Sequence, residues 1–525
     1  MFDDLNNLES NSVITTDVCI IGTGPAGISL ARTFIDTNFE ILLLESGTFQ
    51  YETDTQNLYK GKINKDLPPV PLHASRLRYL GGTSNHWTGH CGPFKEVDFK
   101  KREWIANSGW PISLIDLEPY YRSAHDVIKL GPYNYDAKNW TKNNSQVFDF
   151  KETPFVNSML QQAPQRFGPF YKKELEGQEN IRVLLHANLS LLKTDRALKN
   201  IDYIEIKSLK GVKATVKAKK FVLACGGVEN ARLMLHSKLD EITPNIGNYY
   251  SFHPRLITSQ LELKQPVGSE TSPYLWQDLQ ETFVKLFIDI EEEIQVKDRL
   301  PNNAFNLMNI ANSENIGYTA LKKVRNAAQG DHPLSNIYQD IATVFRNFES
   351  VASQLKNRHV NNPRYKLAVM TYIDQIPNKD SRITLSRELD ALGVPKPHVQ
   401  WNYLKEDLES TIEFNNKFAV AVGASGIGRL HVDPKLSSPK HFEKLIRESS
   451  GGGHQMGTTR MSNNKTKGVV DKNLKVHNIN NLYCAGSSVF PTFSWINPTM
   501  TIVALSLRLG DHLIDQLGKS NESNS

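Results

Sequence analysis

The sequence predicts a mixed α/β fold in which one α/β domain, assembled from separated stretches of chain, is combined with a second domain. Three observations lead to this prediction. Residues 17–45 alternate between strand-like and helix-like hydrophobic patterns, residues 220–227 form a later apolar strand that runs into glycines, and glycines, histidines and prolines concentrate between 451 and 501. At 525 residues the chain exceeds the size of an ordinary single core, so more than one domain is expected.

The first of these segments has the pattern of a βαβ unit. Residues 17–21 are a short apolar strand, residues 22–27 read GTGPAG, apolar residues then recur at helical spacing, and a second apolar strand at 41–44 ends at Glu45. Glycines at Gly22, Gly24 and Gly27 let the backbone turn sharply, approach a pyrophosphate and pack the helix on the strand, and Glu45 can accept hydrogen bonds from a ribose. The unit predicts a dinucleotide site without distinguishing FAD from NAD.

The middle of the chain has a different character. Residues 265–364 contain few glycines and several amphipathic patterns, such as 275–294, which predict a helical insertion. Residues 366–373 and 380–386 then read as strands. The chain after Leu517 is polar, and we expect residues 521–525 to be a flexible tail.

Composition narrows the function classes. A net charge of +5 over this length gives no reason to expect a nucleic-acid partner. The four cysteines share no CxxC spacing, so we expect buried free thiols and neither a zinc site nor a disulfide-reductase couple, and the HxxxH at His86 and His90 lies among glycines unsuited to a metal-binding helix. The acidic start of the chain and the lack of a long apolar run predict a cytoplasmic protein without a transmembrane segment.

Four further segments, in this order, resemble the glucose–methanol–choline (GMC) oxidoreductase family. They are residues 78–87 (RYLGGTSNHW), 454–461 (HQMGTTRM), 468–471 (GVVD) and 481–492 (NLYCAGSSVFPT). The resemblance extends from residue 15 to about 515 except for 265–364. It implies a Rossmann-type FAD-binding domain made of residues 1–110, 181–255 and 451–520, and a substrate domain with an antiparallel sheet made of 111–180 and 256–450.

The resemblance also implies an active site. The family's catalytic histidine corresponds to His454, and its hydrogen-bonding partner corresponds to Asn497. An imidazole suits removal of a hydroxyl proton while hydride leaves the carbinol carbon, and Asn497 can orient the same oxygen. Without the resemblance, His454 could equally satisfy loop backbone, and Asn497 could cap the helix that follows Pro498. His253, in a family segment near the domain junction, is expected to be structural.

The remaining implied residues contact the cofactor. The end of the 78–87 motif, Ser-Asn-His-Trp87, resembles the pyranose-oxidase and sugar-dehydrogenase branch of the family. In that branch, a histidine at the position of His86 can be covalently bonded to the flavin. Covalent and non-covalent binding of FAD therefore both stay open. With Gly22, Gly24, Gly27 and Glu45, the expected FAD-binding residues are Gly82, Thr83, His86, Trp87, Gly486, Ser487, Asn497 and Thr499.

The resemblance thus implies FAD-dependent oxidation of an alcohol group on a sugar, glycoside or polyol. Oxygen, a quinone or a redox protein remain open as the electron acceptor, and an oligomer is compatible with the sequence. Two alternatives stay open: a lyase of the same family with a structural FAD, and a nucleotide-binding interaction protein without turnover.

Overall fold

The structure is a computed structural model of the chain. It describes residues 1–64, 71–140, 147–150, 152–268, 272–275, 277–279, 282–309, 364–449 and 453–522, with a few isolated positions between 310 and 363.

The described strands, in chain order, are β1 (Phe2–Asp4), β2 (Ser12–Ile21), β3 (Ile41–Leu44), β4 (Lys62–Ile63), β5 (His90–Cys91), β6 (Phe155–Gln162), β7 (Ile181–Leu185), β8 (Asn188–Thr194), β9 (Ile201–Lys207), β10 (Lys213–Leu223), β11 (Arg255–Val267), β12 (Gln277–Leu279), β13 (Thr282–Ile290), β14 (Ala304–Asn309), β15 (Arg364–Tyr372), β16 (Arg382–Leu389), β17 (Pro395–Gln400), β18 (Gly428–Val432) and β19 (Leu482–Cys484).

The described α-helices with named bounds are α1 (Pro25–Arg32), α2 (Thr53–Asn57), α3 (Glu96–Phe99), α4 (Leu114–Ile128), α5 (Phe167–Glu176), α6 (Gly226–His236), α7 (Glu292–Lys297), α8 (Lys405–Ala424), α9 (Pro439–Glu448) and α10 (Thr499–Glu522).

The first sheet has the strand order β1-β7-β3-β2-β10-β9-β8, with β19 also paired to β10. Its centre is parallel: β2 pairs with β3 on one side and with β10 on the other. The last four residues of β2, the last three of β10 and all four of β3 are apolar and buried, as expected for a parallel sheet covered by helices. The carboxyl ends of β2, β3 and β10 therefore meet at one edge, where a parallel α/β sheet binds its ligand.

The second sheet is antiparallel, with the order β18-β11-β15-β14-β13-β6-β5. One face packs on α8 through aromatic rings, with the ring centroids of Phe305 and Phe414 4.4 Å apart and those of Phe305 and Phe418 4.4 Å apart. The opposite face of this sheet is therefore available to the rest of the molecule. A third sheet, β16-β17-β4, is small.

These features confirm the predicted fold class, including the βαβ unit, the later parallel strand β10 and the strands β15 and β16. The boundaries of the two domains stay a prediction. Cys19, Cys91 and Cys484 are buried free thiols, as predicted, and Cys225 is a free thiol that is only partly buried.

One prediction about a helix is wrong. The expected helix over 275–294 is instead the strand β13 followed by the short helix α7, and β14 also lies in the stretch predicted to be helical. Apolar residues on both faces of β13 imitate a helical spacing, because one face meets the α8 core and the other is also buried. Most of the predicted insertion, from 310 to 363, lies outside the described residues. At the end of the chain, α10 continues to Glu522, and the rest of the predicted tail lies outside the described residues.

Candidate active site

A cavity of about 450 Å³ lies at the carboxyl edge of the parallel strands. Every residue predicted to bind the cofactor or act in catalysis lines it, with the exception of Gly27. The lining residues from that prediction are Gly22, Gly24, Glu45, Gly82, Thr83, His86, Trp87, His454, Gly486, Ser487, Asn497 and Thr499. The structure therefore brings together segments that are more than 450 positions apart in the chain.

The turn between β2 and α1 requires its glycines. Gly22 has φ +110°, a left-handed conformation that favours glycine. A Cβ on Gly27 would lie 1.8 Å from the carbonyl oxygen of Gly22, so only glycine at position 27 allows helix α1 to pack this close to the turn. Gly27 does not itself line the cavity. A Cβ on Gly24 would meet no atom within 4 Å, and this glycine lines the cavity immediately before the first residue of α1.

Glu45 places a carboxylate in the cavity wall at the end of β3. Its Oε2 accepts a hydrogen bond from the Thr23 hydroxyl, and its Oε1 accepts one from the backbone N–H of Gly47 at 2.9 Å. Burial raises the pKa of Glu45, while these hydrogen bonds and the nearby Arg78 oppose the rise. Because a carboxylate offers about four lone-pair sites, two contacts leave capacity for ribose hydroxyls.

Arginines that sequence reasoning did not assign also line the cavity. Arg76 and Arg78 stack on the ring of Tyr59, with guanidinium carbons 4.0 and 4.6 Å from its centroid. Both form ion pairs with Glu229, at 3.1 and 3.5 Å. Burial opposes ionisation of Glu229, but the surrounding arginines, with Arg232 foremost, lower its pKa to about 2. The network fixes positive charge beside the cavity. Arg78 lies inside the 78–87 motif, but no spacing in the sequence indicates its partner.

The residues around the predicted flavin contacts are held by local structure. Gly82 and Thr83 begin a short 3-10 helix that ends at His86. The indole Nε1–H of Trp87 donates to the carbonyl of Gln165 at 3.0 Å. Farther along the chain, the Ser487 hydroxyl donates to the carbonyl of Gln455 at 2.8 Å.

His454 and Asn497 are brought together by Arg255, the first residue of β11. One nitrogen of its guanidinium, Nη2, donates to Asn497 Oδ1 at 3.0 Å and lies 3.4 Å from His454 Nδ1. The Asn497 Nδ2 donates to the backbone carbonyl of His90 at 2.9 Å. Both contacts of the Asn497 amide lie outside α10, so the amide faces the cavity rather than the helix it precedes.

His253 also touches the predicted catalytic histidine. Its Nδ1 lies 3.1 Å from His454 Nδ1, and its Nε2 lies 3.0 Å from the carbonyl oxygen of Phe493. Sequence reasoning expected a structural role for His253 and did not assign Arg255. The three residues 253–255 form one contiguous segment, whose position beside His454 becomes evident only when the second sheet is folded against the first.

All the histidines of this cluster are held in their neutral form. Burial, and secondly the charge of Arg255, lowers the pKa of His253 to about 3 and that of His90 to about 3. Burial, Arg255, His253 and His90 together lower the pKa of His454 well below its usual value of 6.5. A neutral imidazole can accept a proton, so the site keeps His454 in the state that a base requires.

The residues of the cavity fit an adenine dinucleotide. The amino termini of α1, α6 and α10 all contribute lining residues, and helix amino termini attract phosphate through free N–H groups and the helix dipole. A Cβ on Gly226, at the start of α6, would meet nothing within 4 Å, so the wall there is open to a ligand. Glu45 supplies the ribose acceptor on the same cavity.

The fold and the cavity fit a dinucleotide-binding protein, and comparisons with known proteins indicate which family the chain is similar to. Residues 377–506 match the family model described as GMC oxidoreductase. The chain is 23% identical to 2-methyl-1,2-propanediol dehydrogenase of Mycolicibacterium austroafricanum, with 96% of each chain covered. It is 20% identical to the fructose dehydrogenase large subunit of Gluconobacter japonicus, covering 97% of this chain and 99% of the relative.

Solved structures agree with this fold. A formate oxidase of Aspergillus oryzae, studied for the modification of its FAD, superposes with a TM-score of 0.56 at 16% identity and covers 97% of this chain and 99% of the other. Pyridoxine 4-oxidase from Mesorbium loti gives a TM-score of 0.54 at 14% identity, with coverage of 95% and 99%. The comparisons thus bear out the resemblance to the GMC oxidoreductases, and residues 377–506 match the model of that family.

In the part of the chain that the structure describes, no helix is long and apolar enough to span a membrane.

Proposed function

We propose that this protein oxidises an alcohol group of a small polar substrate, with FAD in the cavity and His454 as the general base. Three features support the proposal: the glycine turn and Glu45 suit the adenosine diphosphate part of FAD, His454 and Asn497 line the same cavity, and the relatives named above include a diol dehydrogenase and a sugar dehydrogenase. Bound FAD would supply the acceptor for the hydride.

The observation that carries the proposal is the hydrogen-bond chain through His253. The Phe493 carbonyl can only accept, so His253 Nε2 must carry the proton. Because His253 is neutral, its Nδ1 is then an acceptor, and the 3.1 Å contact requires His454 Nδ1 to be the donor. Neutral His454 therefore has its lone pair on Nε2.

That lone pair is available. Among the described residues, none hydrogen-bonds His454 Nε2, and the side chain lines the cavity. In this arrangement, the Arg255 Nη2 at 3.4 Å from Nδ1 acts through its charge, since two N–H groups cannot hydrogen-bond each other. His454 Nε2 can thus take the hydroxyl proton as the hydride leaves the carbinol carbon.

Asn497 is suited to hold the carbinol oxygen. Its Oδ1 is engaged by Arg255 and one Nδ2–H is engaged by the His90 carbonyl, so the amide orientation is fixed. A second Nδ2–H remains for the oxygen of the substrate. Asn497 therefore orients the oxygen without removing its proton.

An anaerobic screen tests this function. The purified holoprotein is mixed with sugars, glycosides, polyols and amino alcohols, and the flavin absorbance is followed. Alcohol oxidation predicts loss of the yellow colour with at least one substrate class. A lyase with a structural FAD would convert substrate while the flavin stays yellow, and a protein that takes up no FAD would refute the proposal. The electron acceptor, the covalent attachment and the cytoplasmic location stay predictions.

A further inference from the structure

The face of the second sheet that meets His454 and Asn497 carries two basic side chains, Arg255 in β11 and Lys285 in β13. Alternation along β13 puts Lys285, Phe287 and Asp289 on this face, because Leu286 and Ile288 belong to the core under α8. Phe287 packs on Trp495 from the segment before Asn497, with ring centroids 4.9 Å apart, which fixes this face against the active site.

Contacts fix the orientation of the Arg255 guanidinium, but no described carboxylate neutralises its charge. Its guanidinium carbon lies 4.6 Å from the ring centroid of Tyr372, and Nη2 contacts Asn497 and His454. Its Nε is buried and hydrogen-bonds no described residue. No described carboxylate forms an ion pair with Arg255, although a partly buried cation without an anion is costly.

Lys285 is a second basic group in the same region, and burial lowers the pKa of its amine to about 7. It is 6% exposed, and its Nζ lies 5.9 Å from the ring centroid of Phe287. Its charge, with that of Arg255, acts on His90 in the cavity wall. The acid on this face, Asp289, already accepts from Lys95 and, at 3.1 Å, from the indole of Trp495. The lasting positive charge beside the catalytic pair is therefore that of Arg255, and Lys285 adds to it only when its amine is protonated.

We propose that the substrate carries an anionic group, a carboxylate or a phosphate, close to the carbinol carbon, and that Arg255 binds this group. The planar guanidinium matches both anions. Arg255 Nη2 lies 3.0 Å from Oδ1 of Asn497. Because the Nδ2 of the same amide holds the carbinol oxygen in the proposed function on which this inference rests, we expect the anion to lie near the oxidised carbon. Hydroxy acids, sugar acids and hydroxyalkyl phosphates satisfy this condition.

The electrostatics of His454 support this substrate class. The charge of Arg255 disfavours the protonated imidazole that forms when His454 takes the hydroxyl proton. An anion seated on Arg255 offsets that charge and makes His454 a stronger base in the complex. A neutral alcohol leaves the penalty in place.

Binding of inert anions tests the inference without turnover. The holoenzyme is titrated with acetate, inorganic phosphate and acetamide, and changes in the flavin spectrum report occupancy. Acetate or phosphate, but not the uncharged acetamide, is expected to bind, and the stronger of the two anions indicates which group the substrate bears. Arg255→Gln should weaken anion binding by about 30-fold or more.

Arg429→Gln is the matched control, since Arg429 is an exposed arginine in β18 of the same sheet. It should bind the anions as the wild type does. Equal binding of acetate and acetamide, no anion binding, or full affinity in Arg255→Gln would each overturn the inference.

Turnover separates this inference from the proposed function. Flavin reduction is compared within matched series, such as glycerol, glycerate and glycerol 3-phosphate, or glucose and gluconate. A preference for the anionic members that Arg255→Gln abolishes supports the inference, and a preference for neutral members refutes it while the proposed function stands. If no compound reduces the flavin, the proposed function fails, and the anion titration still decides the role of Arg255.

Discussion

Replacing His253 tests whether this residue sets the tautomer of His454. Asn and Leu have nearly the same shape, but only Asn places an acceptor oxygen where His253 Nδ1 stands, 3.1 Å from His454 Nδ1. In His253→Leu, His454 Nδ1 loses its acceptor. Arg255 Nη2, which lies 3.4 Å from His454 Nδ1 in the wild-type structure, can then donate a hydrogen bond to it instead. The proton then moves to Nε2, the atom that we propose as the base.

The size of the effect follows from that competing hydrogen bond. A hydrogen bond from a charged donor is worth about 1.5–3 kcal/mol, which corresponds to a factor of about 10 to 150 between the two tautomers. Anaerobic stopped-flow reduction of the flavin should therefore be about 10- to 150-fold slower in His253→Leu, whereas His253→Asn should stay within a few-fold of the wild type. Thermal unfolding and FAD content of both variants control for misfolding. Equal rates in the Leu and Asn variants would refute the tautomer argument.

Four other predictions concern the same site. His454→Ala should slow flavin reduction by about 10²- to 10⁴-fold with FAD still bound. Asn497→Ala should slow it less, because this change only misplaces the substrate oxygen. Equal rates in the wild type and His454→Ala would exclude His454 as the base. Burial, followed by Arg255, His253 and His90, lowers the pKa of His454, so the neutral base persists at neutral pH. The rate of flavin reduction in the wild type should therefore be independent of pH near neutrality and decline only below pH 6.5. A decline centred above pH 6.5 would contradict the lowered pKa. Glu45→Ala should weaken FAD binding, measured by fluorescence titration, with Glu45→Gln as the milder variant; unchanged affinity in the Ala variant would remove Glu45 from the site. If the family resemblance at His86 extends to covalency, acid precipitation leaves the flavin in the pellet and His86→Ala releases it, whereas full release from the wild type means that His86 only lines the cavity.

The sequence was sufficient to predict the parts of the site that depend on local patterns. Gly22 and Glu45 belong to one contiguous βαβ unit, which the hydrophobic periodicity and the glycines of its turn predict from the sequence. His454 and Asn497 came from segments with a recognisable family pattern, and both line the cavity.

The parts that could not be predicted depend on contacts between distant strands. Arg255 and Lys285 acquire their significance because β11 and β13 turn one face towards the active site, and nothing in their own neighbourhoods encodes that face. The strand β13 was mistaken for a helix because it is buried on both faces and is followed directly by the acidic helix α7. Burial on both sides removes the alternation that identifies a strand.

In the proposed function, this protein oxidises an alcohol with His454 as the base. The most direct test is anaerobic stopped-flow reduction of the flavin in wild type and His454→Ala, with the best substrate from the screen and its analogue deuterated at the carbinol carbon. The account predicts bleaching in the wild type that is slower with the deuterated substrate, and a loss of about 10²- to 10⁴-fold in the variant. A flavin that stays oxidised while substrate is consumed, or a variant as fast as the wild type, would contradict it.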